Sequence, residues 1–124
     1  MSDLGIKEFS DYIYEKLEEI GEEVVLTNPI TTSKFPCREI QTPLKSVNRT
    51  RALSTFQISI KHWNESQRSA MEMTDKTDEK LLKYNLVRTN TSPCIYDPIL
   101  QKYGLTITYE VKYNALTNAF QIIR

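Results

Sequence analysis

The one spacing in this chain that could carry hydrolytic chemistry is Glu110-Val111-Lys112. Residues two apart on a strand share a face, so a carboxylate there could bind a metal ion beside a lysine that orients the attacking water. A metal-dependent nuclease built this way needs a second acid upstream. The nearest is Asp97, which stands in an Asp97-Pro98 turn instead of at a strand end after a proline. An opposite-charge pair on the wet face of a hairpin accounts for Glu110 and Lys112 equally well. His62 is the only histidine, so any triad, histidine pair on zinc or proton shuttle would rest on it alone. Its place beside Trp63 predicts packing or capping. Gly5, Gly21 and Gly104 are scattered and form no phosphate-cradling loop. Cys37 and Cys94 lie far apart with no CxxC partner, which excludes a zinc knuckle or a thioredoxin-type motif and predicts two free thiols. The expectation is a protein with no catalytic residue, no metal ligand set and no cofactor, and thus not an enzyme.

Positioning these residues requires only one domain, spanning 1–124. Ile6, Phe9, Ile13, Leu17 and Ile20 recur at steps of three and four, which predicts an amphipathic first helix stopped by Gly21. Residues 22–27, with Val24-Val25, read as a short strand turning at Asn28-Pro29. Residues 35–44 look extended, but Pro36 and Pro43 each remove a ladder donor and predict an edge strand or a loop that only partly pairs. Residues 43–52 lack an apolar period and predict a mobile loop or the tip of a long hairpin. Phe56, Ile58 and Ile60 alternate with polar residues in a clear strand. Asn64 followed by Gln67 suggests a capping box opening a long helix to about residue 85, with Ala70, Met73, Thr77, Leu81 and Tyr84 inward. The Met71/Met73 pair reads as gap-filling core. Residues 87–100 predict a connector with one short strand. Leu105, Ile107, Tyr109, Val111 and Tyr113 define a last long strand, closed by a hairpin over Asn114-Ala115-Leu116-Thr117-Asn118 onto residues 119–123. The predicted class is α+β: an antiparallel or mixed sheet of about four to five strands, with the N-terminal helix and the long central helix packed on one face.

A composition of 40% hydrophobic and 26% charged residues is that of a globular domain. No apolar run reaches the ~18 residues of a membrane span, and the N-terminus opens with acid, so no membrane association or secretion is expected. A net charge of zero argues against sequence-specific nucleic-acid binding. Charge is nevertheless segregated. Glu15, Glu18, Glu19 and Glu22 crowd the first helix, while Lys45, Arg49 and Arg51 crowd the central loop, so acidic helix and basic loop are candidates for contact between copies. Phe120 and Ile122, in a terminal apolar strand, are candidates for pairing with a neighbour.

The order of elements resembles the tail-terminator (tail-completion) and neck proteins of long-tailed bacteriophages. The resemblance is carried by Phe35-Pro36-Cys37-Arg38-Glu39-Ile40, by the strand from Thr55 to His62-Trp63, by the helix through Leu81-Leu82, and by Leu105-Thr106-Ile107-Thr108-Tyr109-Glu110-Val111. It covers most of the chain as a pattern of elements. It implies a structural virion subunit, assembled in the host cytoplasm, whose ring of typically six copies (a hexamer) caps the tail tube. The implied partners are the protein itself, the tail-tube protein and the head-tail connector. The alternatives are a small non-enzymatic regulatory or interaction module and, third, the metal-dependent nuclease considered above.

Overall fold

The structure, a computed structural model, describes residues 4–47 and 52–122. Ten elements follow in order: α1 (Ile6–Glu18), β1 (Glu23–Val25), β2 (Cys37–Ile40), β3 (Leu44–Val47), β4 (Leu53–Asn64), α2 (Gln67–Leu82), β5 (Val87–Thr91), β6 (Ile95–Asp97), β7 (Lys102–Asn114) and β8 (Ala119–Gln121). The organising pair is β4 with β7, antiparallel from Leu53↔Asn114 to Asn64↔Tyr103. On the outer side of β4, β2 covers the C-terminal half and β3 the N-terminal half. On the outer side of β7, β6, β5 and β8 follow one another along its length. The small strand β1 runs parallel to β2 and makes the sheet mixed.

The expected sheet of four to five strands is therefore corrected to one of eight. The sheet is five ranks wide, but two of those ranks are broken into short pieces. Pro43 lies between β2 and β3, and Pro93 between β5 and β6, each where a ladder donor is missing. Residues 35–44 pair only in part, through β2 and Leu44, and β2 is not an edge, since it is enclosed by β1 and β4. The segment 87–100 holds two strands instead of one, and Leu44–Val47 of the expected mobile loop is paired with β4.

The central helix also differs from expectation. Its cap is Ser66, whose hydroxyl accepts the Ser69 N–H at 3.1 Å, while Asn64 still belongs to β4. It ends at Leu82, because Asn85 adopts a left-handed conformation (φ 70°) and turns the chain. The Asn85 N–H then donates to the Leu82 carbonyl and the Leu86 N–H to that of Leu81, which satisfies two of the helix's last acceptors. Ala70, Met73, Thr74, Thr77 and Leu81 are buried; Met71 is half exposed and is not core.

Both helices lie on one face of the sheet. Phe56, Ile58 and Ile60 of β4 and Leu105, Ile107, Tyr109 and Val111 of β7 point into that layer and meet Phe9, Ile13 and Leu17 of α1. Phe9 stacks on Phe56 with centroids 4.3 Å apart. Each such buried side chain contributes roughly 1.5–3 kcal/mol. The opposite face carries Thr55, Gln57, Ser59, Lys61, Thr106, Thr108, Glu110 and Lys112, and among the described residues no helix covers it. Among the described residues no helix is long and apolar enough to cross a membrane.

Candidate functional site

The helix-covered layer contains a polar seam. Arg38, on β2, is wholly buried and points at α2: Nε donates to Thr77 Oγ1 at 2.7 Å and NH2 to the Met73 carbonyl at 3.2 Å. Its NH1 donates to Glu22 Oε1 at 2.8 Å, which completes a partly exposed ion pair. His62, directly opposite Arg38 in the ladder, bonds through Nε2 to Thr77 Oγ1 at 2.8 Å and through Nδ1 to the Leu105 carbonyl at 3.1 Å. A carbonyl only accepts, so Nδ1 carries the proton and Nε2 receives the Thr77 hydroxyl. Burial, reinforced by the Arg38 charge, pushes the His62 pKa down to about 3 and keeps the ring neutral. With both nitrogens occupied and no exposed surface, His62 joins α2 to the sheet.

A second buried group lies further along. The Tyr109 hydroxyl donates to Asp78 of α2, and Arg88 of β5 pairs with the same carboxylate at 2.6 Å. Burial and the bond to Asp78 raise the Tyr109 pKa.

The uncovered face holds a cleft of about 540 Å³ at the end of the β4–β7 pair where Trp63 and Gly104 sit opposite each other, and a smaller hollow of about 300 Å³ at the other end, beside Thr55 and Lys112. The floor of the cleft is Glu39, Lys61 and Trp63; its walls are the turns that hold Pro29 and Ile30 on one side and Ile99 and Leu100 on the other. The indole N–H of Trp63 donates to Glu39 Oε1 at 3.0 Å, and the Lys61 ammonium lies 4.4 Å from the ring centroid. Gly104 makes this stacking possible: a Cβ there would press on Lys61 Cε and come within 3.2 Å of Trp63 Cζ3. Both walls are fixed turns. Asp97 Oδ1 accepts the N–H groups of Ile99 (2.8 Å) and Leu100 (3.1 Å), and Ser33 Oγ accepts that of Ile30 at 3.1 Å. Outside the cleft, the Lys102 ammonium lies 5.1 Å from the Phe35 ring centroid. The cleft floor is nearly closed, with Trp63 and Glu39 only 4% and 6% exposed beneath Lys61, and the apolar rims at Ile30 and Ile99 are what the cleft presents.

The residues singled out from sequence are dispersed. Asp97 pairs with Lys102, and Glu110 lies eight residues further along β7, roughly 26 Å away at the rise of a strand. The two acids cannot share a metal ion, which removes the geometry of the nuclease reading. Lys45 is on β3 and faces the core side, where Nζ donates to the Leu4 carbonyl at 2.7 Å and lies 5.6 Å from the Phe56 centroid. Arg49 and Arg51 lie outside the described residues. Of the acids, Glu22 is engaged with Arg38 and Glu19 with Lys80 at 2.6 Å, while Glu15 and Glu18 are exposed on α1. Phe120 packs against Tyr12, Tyr113 and Phe9 in the aromatic end of the core, and Ile122 is exposed. The Cys37 thiol is buried and pushed up to about 12, chiefly by burial and further by Glu39.

The cleft was not anticipated from the sequence. Its one local signal was Gly104, a glycine inside an otherwise alternating strand, which marks a close approach. No protein-family model matches the chain, and no curated protein matches it.

Proposed function

We propose that this chain is a structural virion subunit, a tail-terminator or tail-completion protein whose ring caps the phage tail tube and joins it to the head connector. The order of elements supports this reading. So does one structural observation: exposed apolar side chains gather at opposite ends of the β4–β7 pair. Ile30, Ile95 and Ile99 stand at the Trp63 end, and Val47 and Leu116 at the hairpin end. Two different sticky ends on one rigid sheet suit a contact in which each copy joins the next head to tail, the geometry that closes into rings. The partners in this reading are further copies of the chain, the tail-tube protein and the connector, with no cofactor. The test adds the purified protein to tail tubes and examines them by negative-stain electron microscopy, with native mass spectrometry alongside. Capped tubes of uniform length and a closed symmetric oligomer are expected; tubes that elongate unhindered would overturn the reading.

The cleft favours one alternative, a small non-enzymatic interaction module in which a single partner seats over Trp63. Such a module would stay monomeric or dimeric and leave tail tubes untouched.

A further inference from the structure

The two helices are held to the same sheet by different chemistry. α1 presents Phe9, Ile13 and Leu17, none with any exposed surface, to the apolar layer. α2 buries Ala70, Met73, Thr74, Thr77 and Leu81, so two of its five inward residues are threonines and a third is alanine. Hydrogen bonds take the place of the missing apolar contact. Thr77 and the Met73 carbonyl bond to Arg38, Thr77 to His62, and Asp78 to Tyr109 and Arg88. At the surface, Lys80 with Glu19 adds a tie that salt screens.

The seam under α2 has a place for one positive charge, and Arg38 fills it. Arg38 Nε and His62 Nε2 meet on a single oxygen, Thr77 Oγ1, at 2.7 and 2.8 Å, so a charged imidazole would stand one atom away from the guanidinium. The other cation acting on the ring is Arg88, from β5. Both nearby carboxylates are already engaged: Glu22, from the loop before β1, with Arg38, and Asp78, from α2, with Arg88 and the Tyr109 hydroxyl of β7. Hydrogen bonding alone would tolerate a second ring proton, since the Thr77 hydrogen can turn to the Met73 carbonyl at 3.1 Å. Charge does not, because like cations repel far more strongly in a buried site than in solution. A neutral His62 is thus a condition for α2 to lie on the sheet.

We propose that α2 is a proton-released element: mild acid charges His62 once the helix has lifted, and α2 leaves the sheet while α1 and the β4–β7 pair stay folded. Lifting lets water reach both His62 and Arg38 and uncovers the core side of β4 and β7 around His62 and Tyr109. Linkage fixes the sign. Burial and the Arg38 charge hold the closed ring's pKa down at about 3, while an open, hydrated ring takes its proton near the ordinary 6.5. Opening is therefore favoured as pH falls below about 6.5, by up to about tenfold per unit. The device belongs to the single chain and is independent of the ring reading.

The experiment is native-state hydrogen exchange by mass spectrometry on the full chain, between about pH 7.5 and 5, corrected for the intrinsic rate at each pH. That window lies above the ordinary carboxylate range, so His62, the only histidine, is the side chain that titrates in it. Amides of α2 are expected to open at least about 10-fold more often than those of α1, with an opening constant that rises roughly 30-fold across the window. His62→Gln should abolish the rise; should that variant fail to fold, the wild-type slope is a test by itself. Thr77→Val keeps His62 and removes the oxygen it shares with Arg38, and should raise α2 opening about 10-fold at every pH. Equal protection of α1 and α2, exchanging as one unit, overturns the proposal. So does an α2 that opens first with no dependence on pH, a rise that persists in His62→Gln, or an α2 whose protection Thr77→Val leaves unchanged.

Discussion

Arg38 carries a full charge into a place without water, and everything around it is arranged to answer that charge. Its donors reach Thr77, the Met73 carbonyl and Glu22, so Arg38→Ala leaves a hydroxyl, a carbonyl and a carboxylate without their donor. Losing this wholly buried side chain with its hydrogen bonds should cost about 2–5 kcal/mol in urea denaturation. Glu22→Gln, at a partly exposed position that keeps an acceptor, should cost about 1 kcal/mol or less. His62 adds a pH dependence. Its pKa is about 3 in the folded chain against an ordinary 6.5, so the unfolded chain binds the extra proton throughout that interval. Stability should therefore fall as pH drops from about 6.5 towards 3, with a slope of up to ~1.4 kcal/mol per pH unit from this residue. Denaturation midpoints measured across the window check this, and His62→Gln should flatten the slope. The sequence marks His62 as packing beside Trp63, but nothing in its spacing reveals that Arg38 and His62 face each other. That depends on β2 lying antiparallel to β4 in one register, a long-range fact with no local trace.

At the scale of elements, the strands that bury one face in alternation were legible. Phe56, Ile58 and Ile60, and Leu105, Ile107, Tyr109, Val111 and Tyr113, fall on the core side of β4 and β7. Of the short strands, β1 was legible from Val24-Val25 and β8 from the hairpin onto residues 119–123, whereas β3 and the second of the strands β5 and β6 were not, because pieces of three to five residues owe their existence to the long neighbour that supplies their hydrogen bonds. The helix start was displaced by two residues because Asn64 is claimed by the ladder with Tyr103, which leaves capping to Ser66. Ser66→Ala should accordingly lower stability by about 1 kcal/mol, whereas Asn64→Ala should leave the α2 cap intact. Gly104→Val tests the close approach on the open face. The added methyls collide with Lys61 and the Trp63 ring, and thermal denaturation should show a loss of about 1–3 kcal/mol.

For the molecule as a whole, the decisive pairing joins distant parts of the chain. Ser59 meets Thr108 at 2.9 Å across a separation of 49 residues, and every shorter strand depends on that pair having formed. Loop closure on this scale precedes most of the stabilising contacts, so stopped-flow circular dichroism should find folding in milliseconds to seconds, well outside the microsecond range of helical bundles. The same dependence explains why the cleft was invisible in the sequence: its floor comes from β2 and β4, and its walls from turns near residues 30 and 99, brought together only by the finished sheet. One residue on that floor has a practical consequence. Trp63 is the only tryptophan in the chain, and it lies beneath Lys61 and beside Glu39 at the bottom of the cleft. The molecule's entire indole emission therefore originates in the floor of this cleft, and its intensity and wavelength form an unlabelled optical readout of any change in the packing there.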